Sequence, residues 1–444
     1  MLKHYDLIGV GFGPSGIALA AAIDDLGNEG KTPRPLRAKF FEKQAGPAWQ
    51  SEMLLPGTDI QHHFLRDFAT PRNPRSHYTF ANYLSEVGRL FDFGLLGGNP
   101  GRIEWADYCR WVADQLSGYA AYNREVTAIE PIAAPERDRE VDRFLVRTHD
   151  RDSGAEEACT TSNLVISTGR TPHVPQTFAP HLGPTVFHSH NFLSKVKTAV
   201  TDPGMSVAVI GSGQSAIEII LYLADLYPQA NITSISRGNG FRLYDLGHFS
   251  NQVFSPDEVD YFHSLPAQAR ARLLDDIKPT NYSGIDPDVS RALYWRVYED
   301  RVQGRSRISM LKRTAVDGIS QKGTHWELDL RDTYSQASRS EEVDLVILCT
   351  GYEEEAFPPL LRDLAPLLVL EDGCVSIGRE YEVHTADHVS AGLFINGIAE
   401  HSHGISDSTS FSMMAVKAQV TLSNLRILSD RTISGPLQPL KEVA

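Results

Sequence analysis

Strand-like apolar runs alternate with helical patterns along the 444-residue chain. A short apolar run that leads through a glycine-rich turn into a helical pattern occurs twice, at residues 5–20 and 208–219. Helical patterns follow both turns and return near 257–275 and 288–303. Strands that alternate with helices indicate parallel sheets, so the pattern predicts an α/β protein. The other strand-like runs lie at 36–42, 163–169, 231–237, 325–331 and 343–351.

Proline- and glycine-rich stretches separate these runs and suggest two nucleotide-binding domains. We expect residues 1–199 and 344–444 to form the first domain and residues 200–343 to form the second. The helical stretch 251–300 is expected to face the cleft between the domains and to supply the substrate site. The predicted architecture is an α/β fold of two Rossmann-like domains with a small, mainly helical substrate-binding segment.

The first glycine turn reads GFGPSG and fits the Gly-x-Gly-x-x-Gly fingerprint of dinucleotide-binding folds. Its glycines make the strand-to-helix turn, let a pyrophosphate approach the backbone and let helix and strand pack closely. The phosphates are expected at the helix N-terminus, where unpaired N–H groups favour negative charge. Glu42, at the end of the next strand, is placed to bind the ribose hydroxyls. The nucleotide-contacting residues expected in this turn are Gly11, Gly13, Pro14, Ser15 and Gly16.

The second glycine turn reads GSGQSA, with alanine in the third position as an accepted variant. The strand that follows ends in Ser236 and Arg237, where an enzyme selective for NAD carries an acidic residue. A hydroxyl and a guanidinium suit a 2′-phosphate, so we expect this turn to bind NADPH. The nucleotide-contacting residues expected in this turn are Gly211, Ser212, Gly213, Gln214 and Ser215.

Two such turns in one chain indicate two nucleotides. The segments ISTGRTP (166–172) and LCTGYEEEAFP (348–358) each begin as a buried strand that ends in Thr-Gly. Two-dinucleotide flavoproteins pass the chain between their domains at this pattern. The first turn is therefore expected to hold FAD and the second to hold the hydride donor, NADPH.

Composition narrows the partners and the compartment. The formal net charge of −14 argues against nucleic acid or an anionic membrane as a partner. The 4 cysteines are scattered without metal-binding or redox spacing, so we expect free thiols in a reducing, cytoplasmic compartment. We find no uninterrupted apolar run of the about 20 residues that a membrane span needs.

Several segments are longer and more specific than a generic nucleotide-binding signature. These segments are MLLPGTDIQHHFLRDFATPRNPRSHYTFANYL (53–84), RIEWADYCRW (102–111), SNQVFSP (250–256), NYSGIDPDV (281–289), DLVILCTGY (344–352) and HGISDS (403–408). With both turns, they resemble the flavin-dependent N-hydroxylating monooxygenases of siderophore biosynthesis, the ornithine and lysine N-monooxygenases, over nearly the whole chain.

The resemblance implies a reaction. NADPH reduces FAD, the reduced flavin forms a C4a-hydroperoxyflavin with O₂, and one oxygen atom passes to the neutral primary amine of a small amine or amino acid. The cofactors supply the chemistry, while the protein supplies positioning and a dry site. The histidine-rich patches at 62–63, 188–190 and 401–403 match segments of a family without metal, so we expect no metal site.

The resemblance also implies roles for individual residues. Gln61 is expected near the flavin, where it helps to hold the ring and the NADP⁺ retained during turnover. Asn251 and Asn281 match the asparagines that bind the amino-acid end of the substrate. Gln61, Asn281 and Ser406 are expected at the reacting atoms. The segment that closes over the flavin ring is matched by His403, Ser406 and Asp407.

Two departures from the family pattern bear on the substrate. The ornithine enzymes usually carry a lysine in a Phe-Leu-Lys-Asp segment that binds the substrate carboxylate, whereas this chain has Arg66. Arginine offers a planar fork that holds a carboxylate through two hydrogen bonds. The family follows its His-Gly motif with apolar residues, and this chain has Thr409 and Ser410 at that site.

Two substrates therefore stay open. If Arg66 simply replaces the lysine, the enzyme hydroxylates the side-chain amine of ornithine, lysine or a related diamine. If Arg66, Thr409 and Ser410 bind a second carboxylate, the substrate is a short acidic amino acid such as aspartate. Its α-amine would then be oxidised toward a nitro or nitroso product.

Other classes of protein share part of the pattern. A Baeyer–Villiger-type flavin monooxygenase would share both glycine turns but would not need the segments 53–84 and 281–289. A non-catalytic, redox-sensing nucleotide-binding protein would oxidise no NADPH. Finally, the resemblance suggests a homo-oligomer, either a tetramer or a dimer.

Overall fold

The computed structural model describes residues 2–28, 30, 34–133, 140–282, 284–355, 357–408 and 410–426. Thr409, a predicted substrate-binding residue, lies outside these described residues. Within them, no helix is both long enough and apolar enough to cross a membrane. No group of three or more His, Cys, Asp or Glu side chains in the described ranges could hold a metal ion.

The first sheet has five parallel strands, and its order brings the first glycine turn to the middle. The helix Pro14–Asn28 leaves this turn with proline at its start, where the missing N–H costs no hydrogen bond. Its buried alanines let it pack closely against the helices Met414–Ser423 and Arg102–Gln115. In sheet order the strands are Gly392–Ile395, Asn163–Ile166, Leu7–Val10, Ala38–Phe41 and Ala120–Ala121.

A four-stranded sheet extends the first domain. Its strand Lys3–Tyr5 runs parallel to Glu156–Thr161, and the remaining pairs are antiparallel. In sheet order its strands are Lys3–Tyr5, Glu156–Thr161, Val141–Asp150 and Arg124–Ala133.

The second sheet again has five parallel strands. The second glycine turn leaves the central strand Ser206–Ile210 and leads into the helix Gln214–Leu226. In sheet order the strands are Val186–His188, Leu345–Leu348, Ser206–Ile210, Asn231–Ile235 and Ile308–Leu311. An antiparallel sheet beside it contains Thr314–Lys322, His325–Asp332 and Ser338–Val343.

The second sheet corrects the predicted boundaries at 199/200 and 343/344. Strands Val186–His188 and Leu345–Leu348 pair with each other, and the latter pairs with Ser206–Ile210. Both strands lie outside residues 200–343, although they belong to the second sheet. Strand partners are chosen by pairing over long sequence distances, which breaks in the local pattern do not reveal.

The Thr-Gly segments connect the two sheets, as predicted. The chain leaves the first sheet after Asn163–Ile166 and enters the second at Val186–His188. It leaves the second after Leu345–Leu348 and returns to the first at Gly392–Ile395. In both crossings a Thr-Gly pair follows the end of the strand after one intervening residue.

The remaining described elements connect and cover the sheets. The helices are Phe80–Glu86, Leu90–Leu96, Phe192–Ala199, Pro256–Ser264, Ala267–Ile277, Pro287–Val302, Glu400–His403 and Ile405–Ser408. The 3-10 helices are Ser51–Met53, Ala179–His181, Ser189–Asn191, Ser250–Phe254, Lys278–Thr280 and Pro359–Leu367. The paired short strands are Arg242–Leu243 with Gly284–Ile285, Thr171–Pro172 with Tyr352–Glu353, and Leu370–Glu371 with Cys374–Val375.

An aromatic cluster fixes the loop that carries Gln61 and Arg66. The His62 ring lies edge-on to Trp105 and against Phe411, with ring centroids 5.1 and 5.2 Å away. Burial lowers the pKa of His62 to about 4, so this imidazole is neutral near pH 7. The His62 ring is therefore held in the aromatic cluster by its ring contacts.

Candidate active site between the two glycine turns

The first glycine turn is shaped by two close backbone contacts. Gly11 has φ +96°, and a Cβ added there would lie 2.4 Å from the Ser167 carbonyl oxygen. A Cβ at Gly16 would lie 2.6 Å from the Gly11 oxygen, so helix and turn approach too closely for any side chain. A Cβ at Gly13 would meet no protein atom within 4 Å. The turn therefore keeps open space above Gly13, where the fingerprint expects a pyrophosphate.

Glu42 is held beside this turn by its own carboxylate. Its Oε2 accepts a hydrogen bond from the Phe12 N–H at 2.8 Å, and its Oε1 accepts one from the Gln44 N–H at 2.9 Å. Each carboxylate oxygen can accept a further hydrogen bond. Glu42 can therefore accept from two ribose hydroxyls without losing the contacts that orient it.

Buried polar atoms at the edge of the first sheet also fit a polar ligand. Ser167 Oγ, Asn396 Oδ1 and Ser406 Oγ are buried and have no hydrogen-bond partner among the described residues. Ser167 and Asn396 follow the carboxyl ends of neighbouring strands, the edge at which open α/β sheets bind ligands. Buried polar atoms are normally paired, so Ser167 and Asn396 indicate a polar ligand at this edge, and FAD fits that requirement.

The second glycine turn repeats the close backbone contact. Gly211 has φ +144°, and a Cβ there would lie 2.2 Å from the Cys349 carbonyl oxygen. Gln214 is engaged by protein, since it donates to Glu218 Oε1 at 3.1 Å and accepts from the Asp286 N–H at 3.0 Å. A nucleotide contact at Gln214 would therefore use its backbone. Ser212 and Ser215 are half-buried beside the turn.

A buried ion pair joins the two domains behind this turn. The Arg102 guanidinium donates to both carboxylate oxygens of Glu218, at 2.7 and 2.8 Å. The two side chains are only 8% and 1% exposed. Arg102 begins the helix Arg102–Gln115, whereas Glu218 lies on the helix that follows the second glycine turn. The pair therefore helps to fix the orientation of one nucleotide turn relative to the other.

Replacing Arg102 by alanine is expected to destabilise the protein severely, because it leaves the Glu218 charge buried without a partner. We expect the free energy of unfolding to fall by about 3–5 kcal/mol, the usual cost of breaking a buried pair from one side. Urea unfolding followed by tryptophan fluorescence measures this. The double variant Arg102→Met with Glu218→Leu should recover much of the loss, and a single-variant loss below about 1 kcal/mol would contradict this account.

Asp286 connects the predicted flavin-side residue to the second turn. It contacts the Gln61 and Tyr244 side chains, and its N–H donates to Gln214. Burial raises the pKa of Asp286 to about 6, and the nearby Asp59 carboxylate raises it in the same direction. Sequence reasoning missed this residue. The one local feature of the sequence that marks Asp286 is the proline after it, because Asp before a proline is typical of the start of a helix.

Asp286→Asn is expected to change how stability depends on pH. The folded protein raises the Asp286 pKa from 3.8 to about 6, so folding favours the protonated carboxyl. That contribution is fully present below about pH 3.8 and is lost as the pH rises through about 6. Asparagine does not titrate and has nearly the same shape, and no cap hydrogen bond is lost because the Asp286 side chain makes none to the helix. The Tm of the variant minus that of the wild type should therefore rise between about pH 4 and pH 6 and level off above that range in thermal melts. A constant difference would contradict the assignment.

Arg66 lies at the mouth of the predicted substrate site. Its half-buried guanidinium lies over the Phe254 ring at 5.7 Å and has no ion-pair partner among the described residues. Burial lowers the pKa of Arg66, and an acidic ligand would offset this desolvation. Phe254 ends the short helix Ser250–Phe254, which packs against Ile405–Ser408. Three segments predicted for the site therefore meet here.

The two predicted substrate asparagines occupy different surroundings. Asn251 donates its amide N–H groups to the carbonyl oxygens of Asp245 and Gly247, both at 2.9 Å. Its nitrogen thus holds the loop, and a substrate contact would use its amide oxygen. Asn281 follows the helix Lys278–Thr280 and is half-buried.

The segment expected to close over the flavin is held mainly by protein contacts. His403 stacks on Tyr381 with centroids 4.0 Å apart, and burial lowers its pKa to about 3. Asp407 forms a buried ion pair with Lys417 and accepts from the Ala399 N–H. A flavin contact from either residue would therefore come through the backbone. Ser406 differs, because its buried hydroxyl is one of the unpaired atoms described above.

Ser410 does not match the role that an acidic substrate would require. Its hydroxyl donates to Ser412 Oγ at 2.7 Å and accepts from the Ser412 N–H at 3.0 Å. The group is thus occupied within a local turn that directs Phe411 into the aromatic cluster. The structure offers no support for Ser410 as the partner of a second carboxylate.

Two glycine turns, each on its own parallel sheet, define a two-dinucleotide flavoprotein. Residues 3–354 match the family described as L-lysine 6-monooxygenase/L-ornithine 5-monooxygenase. The L-ornithine N(5)-monooxygenase of Pseudomonas aeruginosa is 36% identical over 419 residues, which cover 94% of this chain and 92% of that protein.

Solved structures of related enzymes point to the same family. The ornithine hydroxylase of P. aeruginosa superposes with a TM-score of 0.88 at 36% identity, covering 96% of this chain and 100% of that one. The L-lysine 6-monooxygenase of Pseudomonas syringae superposes with a TM-score of 0.85 at 43% identity, with the same coverage. The chain belongs to the L-lysine 6-monooxygenase/L-ornithine 5-monooxygenase family. It is a flavin-dependent N-hydroxylating monooxygenase, as predicted, and the Baeyer–Villiger and non-catalytic alternatives are set aside.

Proposed function

We propose that this enzyme N-hydroxylates the side-chain amine of ornithine, lysine or a related diamine that carries one carboxylate, with FAD at the first glycine turn and NADPH at the second. One observation carries the choice of substrate. Arg66 provides one half-buried guanidinium without an ion-pair partner among the described residues, while Ser410 is occupied locally. This arrangement suits a substrate with a single carboxylate and a distal amine better than it suits aspartate.

The relatives support the same choice. The P. aeruginosa sequence relative and the P. aeruginosa structure are both named for ornithine, and the P. syringae structure is named for lysine. A further structure, the ornithine N-hydroxylase of Kutzneria sp. 744, is described with reduced FAD, NADP⁺ and L-ornithine, and it superposes with a TM-score of 0.89 at 32% identity, covering 96% of this chain and 100% of that one. We propose that the substrates in these names apply to this chain as well. We also propose that the enzyme serves siderophore-type biosynthesis.

The cofactors, when bound, supply the hydride transfer and the activation of O₂, and the residues of this chain supply binding and orientation. Glu42 would hold the FAD ribose, and the open space above Gly13 would take its pyrophosphate. Gln61 contacts Asp286, whose N–H donates to Gln214 at the second turn, so these residues would lie where the flavin and the NADPH meet.

The substrate is proposed to bind with its carboxylate on Arg66 and its α-amino group near the amide oxygens of Asn251 and Asn281. This arrangement directs the side-chain amine into the cleft. That amine has an ordinary pKa near about 10.4, and only its neutral form is nucleophilic. Burial of that amine in the cleft favours the neutral form, because desolvation lowers an amine pKa.

A substrate panel tests this proposal. The enzyme with FAD and NADPH is incubated with ornithine, lysine, putrescine and aspartate, and hydroxylamine and nitrite are measured together with O₂ uptake. We expect a hydroxylamine product from ornithine or lysine, and little from putrescine because it lacks the carboxylate. A product from aspartate alone would overturn the proposal in favour of the acidic alternative.

We also propose that the protein is a homo-oligomer, a dimer or a tetramer. The helix Pro287–Val302 exposes a contiguous apolar face, since Tyr294, Trp295, Tyr298 and Val302 are each more than half exposed. Large exposed apolar patches on soluble proteins mark interaction surfaces. Light scattering coupled to gel filtration decides between one, two and four copies.

The reducing cytoplasm is the proposed compartment. The 4 cysteines, which sequence reasoning treats as free thiols, are free in the structure, and three of them are buried. Free cysteines of this kind are typical of reducing compartments, which also supply NADPH.

A further inference from the structure

The second sheet places two positively charged loops side by side. Strands Asn231–Ile235 and Ile308–Leu311 are parallel neighbours, with Ile235 opposite Leu311. Ser236 and Arg237 therefore leave the same carboxyl edge as Lys312 and Arg313, which follow the next strand. In this fold, the end of the second strand binds the adenosine ribose of the nucleotide.

Hydrogen bonds hold these two loops together. The Ser236 N–H donates to the Leu311 carbonyl at 3.0 Å, and the Thr314 N–H donates to the Ser236 carbonyl at 2.8 Å. The Arg313 N–H donates to the Gly238 carbonyl at 2.7 Å. Because the two backbones are joined, Lys312 and Arg313 stay beside the position predicted for the ribose.

The side chains at this edge are available to an anion. Arg237 and Lys312 are exposed and have no ion-pair partner in the part of the chain that the structure describes. Arg313 has φ +53°, and its guanidinium donates to Asn239 Oδ1 at 3.2 Å, which turns it toward the loop that follows Arg237. A residue other than glycine in the left-handed region is uncommon and persists only where the surrounding structure holds it.

A cavity lies against the same loop. Its volume is about 370 Å³, within the range of small-molecule sites. Three positively charged residues line it, Lys312, Arg313 and Arg339, together with one acidic residue, Asp332. The Asp332 carboxylate already accepts from the N–H groups of Tyr334 and Ser335. The cavity thus carries an excess of positive charge and suits an anionic ligand.

We propose that Lys312 and Arg313, together with Arg237, bind the 2′-phosphate of NADPH, and that Lys312 is a main determinant of the preference for NADPH over NADH. The proposal rests on the assignment of NADPH to the second glycine turn. It adds two residues that the fingerprint does not point to, because they follow the strand Ile308–Leu311, far from the turn in sequence. A phosphate dianion between these side chains would receive charge-assisted hydrogen bonds from both loops.

Binding of nucleotide fragments tests the proposal without any turnover. Isothermal titration of the FAD-loaded protein compares 2′,5′-ADP with 5′-AMP, which differ only in the 2′-phosphate. We expect Lys312→Ala and Arg313→Ala each to weaken 2′,5′-ADP binding by about tenfold, the low end for a hydrogen bond to a charged group, and to leave 5′-AMP binding unchanged. Lys312→Arg should retain the preference, which separates charge from side-chain shape.

Arg301→Ala is the matched control. Arg301 is exposed near the end of the helix that precedes the strand Ile308–Leu311, at the amino edge of the sheet, and its loss removes the same charge. We expect it to bind both fragments as the wild type does. Equal weakening by Arg301→Ala and Lys312→Ala, or unchanged 2′,5′-ADP binding in both Lys312→Ala and Arg313→Ala, would overturn the proposal. If the substrate panel fails while the 2′,5′-ADP preference is lost in Lys312→Ala, this inference stands and the proposed substrate falls.

Discussion

Arg66→Ala is expected to lower kcat/KM for the amino-acid substrate by about 30- to 1,000-fold, which corresponds to about 2–4 kcal/mol. The guanidinium is half-buried over Phe254 and has no ion-pair partner among the described residues, so a substrate carboxylate would be its principal partner. Alanine leaves that carboxylate in the cleft without a cation. Steady-state formation of the hydroxylamine measures the loss, which should appear mainly in KM because the carboxylate is remote from the reacting amine.

Two further variants sharpen this prediction. Arg66→Lys keeps the charge but not the planar fork, so its loss should stay within about tenfold. Arg75→Ala removes an exposed arginine from the same loop and should leave the kinetics unchanged. If Arg66→Ala has the wild-type KM for ornithine and lysine, the carboxylate is bound elsewhere and the proposed substrate orientation is wrong.

Gly11→Ala is expected to abolish FAD binding and to destabilise the protein by about 2–5 kcal/mol. The alanine Cβ would lie 2.4 Å from the Ser167 carbonyl, at a φ of +96° that side chains rarely adopt. The turn must therefore move, and the phosphate cradle moves with it. The flavin absorbance per protein and the Tm measure the two effects.

Two other glycines separate these effects. Gly13→Ala meets no protein atom, so it should keep the stability of the protein but fill the space expected for the pyrophosphate and weaken FAD binding. Gly27→Ala lies in the helix that follows and should be neutral or slightly stabilising, because alanine is the better helix former. A Gly11→Ala protein with full flavin content would refute the assignment of FAD to the first turn.

The sequence predicted the features that are encoded locally. Both glycine turns, Glu42 at its strand end and the Thr-Gly crossings appear as expected, because each depends on a few consecutive residues. The helical stretches near 257–275 and 288–303 are confirmed for the same reason, as Pro256–Ser264, Ala267–Ile277 and Pro287–Val302.

The sequence could not predict what depends on distant partners. The Arg102–Glu218 ion pair joins residues 116 positions apart, and no local pattern links them. Strand Val186–His188 joins the second sheet through Leu345–Leu348, which the predicted boundaries missed. Asp286 acquires its importance only when the fold brings Gln61 and Gln214 to it.

The most direct test of the central claim follows the oxygen atom itself. The enzyme with FAD and NADPH is incubated with ornithine or lysine under ¹⁸O₂, and the product is fragmented in a mass spectrometer. We predict one ¹⁸O atom on the side-chain nitrogen and an unlabelled α-amino group. A label on the α-nitrogen, or peroxide formed without any labelled amine, would contradict side-chain N-hydroxylation.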